Sequence, residues 1–244
     1  MNLIIDIGNT LSKVAIFERS TIIETISFSS ITQEVLQKIQ LKYQKLNKAI
    51  LSSVVHQKKE ISNFLEKNFV NFIELTEHTQ IPIKNLYKSK KTLGNDRIAL
   101  AVGANNIFPN TNVLIIDLGT AITYNFVSAE SQYFGGNISP GLQMRFKALN
   151  EFTNQLPLLT KKENSSLIGR DTEDAIISGV QNGIVYEIDG YVDHLKLRYP
   201  DLKVLFTGGE AFFFDKKIKN IIFVNLNLIF IGLNRILEYN VQKK

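Results

Sequence analysis

The sequence predicts an α/β protein built from two related halves, on three observations. Short runs of apolar and β-branched residues alternate with stretches of helical spacing. The segment Ile4-Ile5-Asp6-Ile7-Gly8-Asn9-Thr10 returns near mid-chain as Ile115-Ile116-Asp117-Leu118-Gly119-Thr120-Ala121. Each copy is an apolar strand ending in Asp, then a glycine turn and a hydroxyl. Finally, hydrophobic residues make up 44% of the 244, with 16 Phe and 8 Tyr, enough to bury a substantial core.

Taken in order, strands are expected at Leu3 to Ile5, Ser12 to Phe17 and Ile22 to Phe28, broken at Gly8-Asn9 and Glu18 to Ser20. This is a three-stranded meander. Val35, Leu36, Ile39 and Leu41 give helical spacing to Ile31 through Leu46, followed by a strand at Ala49 to Val55. A helix at Lys58 to Asn68 and a strand at Phe72 to Leu75 close the first unit. Beyond Pro82, a helix at Asp96 to Ile107 leads to Val113, where the plan restarts with a strand at Val113 to Ile116 and a second at Ala121 to Val127. Gly135-Gly136 and Pro140-Gly141 then punctuate the chain before a helix at Leu142 to Phe152 and a long one from Thr172 to about Leu197. A strand at Val204 to Phe206 ends in Thr207-Gly208-Gly209, and Leu233 to Tyr239 forms a closing helix. The expected division falls near residues 105 to 112, giving domains 1-108 and 109-244.

Composition narrows the functions. The chain has no cysteine, so disulfide frameworks, thiolate metal sites and cysteine nucleophiles are excluded, and a reducing cytoplasm fits best. Met1-Asn2 runs straight into a strand, without the basic and apolar segments of a signal peptide. The longest apolar stretch, Ile221 to Leu233, is 13 residues long and holds two asparagines, short of the roughly 20 residues a membrane span needs. A soluble protein with no membrane partner is expected. Net charge is +5, but its lysines are scattered in small clusters: Lys58-Lys59, Lys88 with Lys90-Lys91, Lys161-Lys162 and Lys216-Lys217. They read as solvated surface rather than a nucleic-acid arm. His56, His78 and His194 lack metal-ligand spacing and read as structural or surface residues.

The chemistry sits in the turns. In Asp6-Ile7-Gly8-Asn9-Thr10-Leu11-Ser12-Lys13, a glycine lets backbone amides approach an anion with no side chain between. The Thr10 hydroxyl and the Lys13 ammonium would face the same phosphate oxygens, and Asp6 could hold water on a magnesium ion. The plainer reading is a hairpin turn in which Asp6 and Asn9 satisfy backbone groups. Its repetition around Asp117 favours phosphate binding, because two independent turns rarely need the same residues for the same structural reason.

These two turns resemble the phosphate motifs of the superfamily that includes actin, hexokinase and the heat-shock chaperone ATPases. Within it, D-I-G-N-T-x-x-K, then Gly94-Asn95-Asp96-Arg97, then D-L-G-T-A-I-T at 117 to 123, then G-G-N-I-S-P-G at 135 to 141, is similar to type III pantothenate kinase over most of the chain. The resemblance implies two ribonuclease-H-like lobes of the actin-like ATPase kind with a nucleotide cleft between them. It implies a homodimer with the substrate site near the interface. It also implies ATP, Mg2+ and a monovalent cation, K+ or NH4+, as cofactors.

Site roles follow by resemblance. Asp96 takes the general base's place, and a carboxylate in reach of a substrate hydroxyl can accept its proton as phosphoryl transfer begins. The alternative for Asp96 is the N-cap of the helix starting near Arg97. Gly94, Asn95, Asp96 and Arg97 form the substrate motif, with Arg97 offering a planar fork of donors. Tyr87 and Thr172 match substrate contacts, although Tyr87 could merely pack, and Asp171 or Thr172 would cap the following helix in any case. Asp117 matches the monovalent-cation ligand and Thr120 an ATP contact, beside the ATP-binding run Asp6 to Lys13. Thr207-Gly208-Gly209 could be an adenosine-side loop. Two features are this chain's own: Asn95 at a variable position and the lysine-rich approach Lys88 to Lys91.

The expected function is ATP-dependent phosphorylation of pantothenate to 4′-phosphopantothenate, the first step of coenzyme A synthesis. Three alternatives stand beside it: another small-molecule kinase of the superfamily, a phosphatase or nucleotide hydrolase of that fold, and a non-catalytic nucleic-acid-binding regulator. The last leaves Asp6, Asp96 and Asp117 unexplained, since carboxylates repel a phosphate backbone unless a cation intervenes.

Overall fold

The computed structural model describes residues 1–8, 10–53 and 59–242. Asn9, His56, Lys58 and the expected strand end at Val54-Val55 lie outside the described residues. Two compact units divide the chain: Met1–Pro109 with Ser131–Tyr133 and Asn227–Lys244, and Asn110–Glu130 with Phe134–Leu226.

In the first unit, β1 (Asn2–Ile7), β2 (Ser12–Glu18) and β3 (Thr21–Phe28) form the expected antiparallel meander. Next come α1 (Gln33–Lys42), β4 (Lys48–Ser53), α2 (Lys59–Asn68) and β5 (Asn71–Glu74). The sheet order is β3-β2-β1-β4-β5, with β4 parallel to β1 and β5 parallel to β4. β1 is central and buried along its whole length, which is why its sequence is apolar rather than alternating. β3, at the edge, alternates instead. One core, including Leu3, Ile5, Ile16, Leu36, Leu51 and Leu65, lies beneath α1 and α2. A short strand β6 (Lys84–Asn85) precedes α3 (Asn95–Ile107). Lys84 and Asn85 pair with Gln132 and Tyr133, which is how 131–133 come to belong to this unit.

The second unit repeats the plan. β7 (Val113–Leu118) and β8 (Ala121–Val127) pair antiparallel, with β9 (Gln132–Gly135) next to β8. β10 (Ile138–Pro140) adds to β8, and then come α4 (Leu142–Glu151), α5 (Thr172–Arg198), β11 (Lys203–Thr207), α6 (Ala211–Phe214) and β12 (Phe223–Val224). β11 runs parallel to β7 and β12 parallel to β11. The sheet order β12-β11-β7-β8-β9 therefore mirrors β5-β4-β1-β2-β3, with β7 in the place of β1. Its core includes Ile116, Phe146, Ile184, Ile188, Phe206 and Phe214.

The closing helix α7 (Leu228–Val241) begins five residues earlier than its apolar spacing suggested and packs on α3, β1 and β4 of the first unit. Asn227 sits at its N-cap, so the asparagines of the 221–233 apolar stretch mark a turn between β12 and the helix. Among the described residues no helix is long and apolar enough to cross a membrane.

Candidate functional site

Asp6 is the penultimate residue of β1 and only 8% exposed. Sheet register sets Lys13 across from it on β2 and Ser52 across from it on β4. Its Oδ1 is buried without a hydrogen-bond partner, as is the Ser52 hydroxyl. Burial pushes the Asp6 carboxyl up to about 6; Ser52 counters this without closing a hydrogen bond of normal geometry, Asp96 adds to it and Lys13 opposes it. A buried orphan oxygen is costly unless something outside the chain satisfies it. The turn itself is tight: the Gly8 amide donates to the Leu11 carbonyl at 3.0 Å, and a Cβ on Gly8 would come 3.2 Å from that oxygen. Thr10 and Leu11 are exposed at its tip, while Ile7 and Ser12 are buried and Lys13 half-buried.

The Gly94-Arg97 motif opens α3. The helix starts at Asn95, earlier than expected, with Gly94 at the N-cap, so Asp96 is not the cap. Its carboxylate instead accepts the Arg97 amide at 2.8 Å and folds back over Gly94, where a Cβ would come 2.3 Å from Asp96 Oδ1. Glycine at 94 leaves room for the acid. Asn95 turns the other way, its side-chain amide donating to the Leu75 carbonyl at 2.8 Å. Arg97 is 5% exposed, with its guanidinium 5.6 Å from the centre of the Tyr87 ring. Tyr87 in turn lies 6.4 Å from Tyr133, a fully buried residue whose hydroxyl burial pushes up to about 12.

The first unit thus assembles Asp6, Lys13, Asp96, Arg97 and Tyr87, and adds two side chains the sequence did not single out. Ser52 left a faint trace, a polar residue ending an apolar strand at the level of Asp6. Tyr133 left none, because its place depends on β6 pairing with a segment of the other half.

In the second unit Asp117 is the penultimate residue of β7, beside the Thr207-Gly208-Gly209 loop. Thr207 is in register with Asp117, and the Glu210 amide donates to the Leu118 carbonyl at 3.0 Å. Gly208 has φ +90°, and a Cβ there would lie 2.4 Å from Asp117 Oδ1. Thr120 is exposed at the tip of the turn, and Gly141 packs against it so closely that a Cβ would come 2.2 Å from its carbonyl oxygen. The D-L-G-T, T-G-G and I-S-P-G segments therefore converge on one turn. Thr172 is the exposed first residue of α5; Asp171 is its cap, accepting the Asp174 amide at 2.8 Å. His78 and His194 are both exposed, and among the described residues no cluster of three His, Cys, Asp or Glu could hold a metal ion. A cation here would need ligand oxygens from a phosphate as well as from Asp6 or Asp117.

The sequence pattern of the type III pantothenate kinases matches residues 2–194. The chain belongs to that family. It is 46% identical to a type III pantothenate kinase of Phocaeicola vulgatus, over 98% of this chain and 99% of that one, and 47% identical to one of Bacteroides fragilis, over 98% of each. Among solved structures, a Campylobacter jejuni protein described as a conserved Baf family transcriptional activator matches with TM-score 0.64 at 25% identity, covering 98% of this chain and 99% of that one. A glucokinase from an Antarctic psychrotroph matches with TM-score 0.55 at 12% identity, covering 98% of each, and shows the fold alone. Type III pantothenate kinase membership and a sugar-kinase-like fold agree with the paired Asp-Gly turns.

Proposed function

We propose that this chain transfers the γ-phosphoryl group of ATP to the primary hydroxyl of pantothenate, giving ADP and 4′-phosphopantothenate, the entry step of coenzyme A synthesis. The observation that carries the reading is the pairing in the first unit of a phosphate-type turn at Asp6 with Asp96, whose charge bears on it. Asp96 is the proton acceptor. Its fold-back over Gly94 and its bond to the Arg97 amide fix the carboxylate before substrate arrives, so little reorganisation is left for the transition state.

Arg97, with Tyr87, Gly94, Asn95 and Thr172, is the substrate set. A guanidinium fork suits the pantothenate carboxylate, and burial beneath Tyr87 strengthens that attraction. The amides and side chains of Asp6, Ile7, Gly8, Asn9, Thr10, Leu11, Ser12 and Lys13, together with Thr120, hold the triphosphate.

The orphaned Asp6 oxygen fits a water on Mg2+, and the Asp117 carboxylate beside bare glycine backbone fits K+ or NH4+. When bound, such cations offset the charge of the phosphates and of the developing transition state. With them in place, the chain's own part is to orient ATP and acceptor and to take up the hydroxyl proton.

The shared sheet order of the two units supports their reading as two ribonuclease-H-like lobes. A homodimer is supported by α5, where Tyr186 is 60% and Leu197 84% exposed and a Cβ at Gly179 or Gly190 would touch nothing. The cytoplasm is the compartment that supplies ATP to such a reaction.

An ADP-release screen over pantothenate, acetate and hexoses, with and without potassium, tests the reading. Turnover confined to pantothenate is expected. Equal turnover of another acceptor would point to a different kinase of the fold, phosphate release without acceptor to a hydrolase, and salt-sensitive DNA binding indifferent to ATP to a regulator.

A further inference from the structure

Gly141 has no space of its own. A Cβ there would lie 2.2 Å from the Thr120 carbonyl oxygen and 2.5 Å from that of Gly119, so the position of residues 139–141 sets the position of the Thr120 turn. β10 reinforces this, with Pro140 in register with Ala121 and Ser139 with Ile122. Whatever holds Ser139 and Pro140 therefore holds the turn.

Arg145 and Glu187 do so. From α4, Arg145 Nε donates to the Pro140 carbonyl at 2.9 Å, while Nη2 donates to Ser139 Oγ at 2.9 Å and to Glu187 Oε2. From mid-α5, Glu187 also accepts from Ser139 Oγ at 3.0 Å and from the buried Tyr124 hydroxyl at 2.7 Å. The side chains are only 20% and 23% exposed. A guanidinium can reach a backbone carbonyl, a hydroxyl and a carboxylate together because its donors lie in one rigid fork.

We propose that Arg145 and Glu187 are positioning residues for nucleotide binding, a clamp that sets the Gly119-Thr120 turn through Ser139, Pro140 and Gly141. The proposal rests on the kinase reading above. Neither side chain need touch ATP; they act through the loop. The clamp ties that turn to mid-α5, a helix that Ile177, Val180, Ile184 and Ile188 already hold in the core, so α5 anchors the turn and does not depend on it.

The test compares Arg145→Lys, Glu187→Gln and the double variant with wild type. Arg145→Lys keeps the charge and loses the fork, which preserves folding while releasing Pro140. KM for ATP should rise about tenfold in each single variant, as expected when a binding group is misplaced. KM for pantothenate should stay within about twofold, and the double variant should lose no more than either single one. An unchanged KM for ATP in a folded Arg145→Lys protein, or parallel rises in both KM values, would overturn the proposal. Removing the exposed pair Lys219–Asp193 by Lys219→Met controls for loss of an ion pair alone and should leave both values alone. ATP affinity measured by calorimetry without acceptor separates the two readings. If wild type fails to phosphorylate pantothenate the proposed function falls, yet a tenfold ATP shift in the variants still upholds the clamp.

Discussion

Gly232 of α7 lies directly against Ala99 of α3: a Cβ on Gly232 would come 1.8 Å from the Ala99 carbonyl oxygen and 2.9 Å from the Gly103 amide nitrogen. Gly103 answers from the other side, its own Cβ position 2.5 Å from the Leu228 carbonyl oxygen. The two helices therefore cross with their backbones in contact. Glycine costs a helix about 1 kcal/mol relative to alanine, so two at one crossing are there for packing. Gly232→Ala should regain that propensity and lose more to forced separation, a net destabilisation of about 2–4 kcal/mol. Urea unfolding midpoints give the answer, and an unchanged or higher midpoint would show that the helices part at little cost.

Asp6 makes stability depend on pH in an unusual direction. Its folded pKa is about 6, above the ordinary value of 3.8. Between those values the native state holds a proton that the unfolded chain has released. The associated stability is complete below about pH 4, declines through the window and is gone above about pH 6. Asp6→Asn lacks this dependence. In nucleotide-free protein with chelator, the variant should gain on wild type by roughly 3 kcal/mol between pH 4 and pH 7.5, at about 1.4 kcal/mol per pH unit. The gap in unfolding free energy is the quantity to measure; if it stays constant across that range, the Asp6 carboxyl is not raised in the folded state.

Asp96→Asn isolates proton acceptance. Asparagine still offers an oxygen to the Arg97 amide, so the start of α3 keeps its local bond. Turnover should drop by about 10²–10⁴-fold, the range that general base catalysis supplies. ATP affinity, read by calorimetry, should remain within a few-fold of wild type. A variant with near-wild-type kcat would remove Asp96 from the chemistry.

The sheets were legible because their strands carry their own signals. β1 and β7 are apolar to the last turn and then switch to Asp and Gly, a pattern that marks a buried central strand opening onto a site. The helical spacing of α1, α3 and α5 was equally direct. Missed elements are those with too few residues to show a period: β6, β9, β10, α6 and β12 have between two and four each. The start of α3 was misplaced because Gly94, not Asp96, occupies the N-cap, and glycine there leaves little trace beside an acid two residues on. The candidate residues that stand in motifs could be proposed from sequence, whereas the surroundings that Ser52, Tyr133, Arg145 and Glu187 provide could not. Their partners lie across strand pairings or helix packings that no local pattern encodes.

Gly208 and Gly209 are adjacent and should behave oppositely. At Gly208, φ is +90° and a Cβ would strike Asp117 Oδ1 at 2.4 Å and the Leu118 amide nitrogen at 2.7 Å. Alanine there faces both an unfavourable backbone region and a rigid neighbour, together costing about 2–5 kcal/mol. At Gly209 a Cβ would meet nothing within 4 Å. Gly209→Ala should therefore alter stability by no more than about 0.5 kcal/mol, as for an ordinary surface change. Because the obstructing atom at Gly208 belongs to Asp117, Gly208→Ala should also displace that carboxylate and weaken potassium activation if Asp117 holds the ion. Unfolding free energies and potassium titrations of both variants distinguish the cases. Equal tolerance at the two positions would mean that the loop moves off Asp117 freely, and Asp117 could not then owe its placement to the bare backbone beside it.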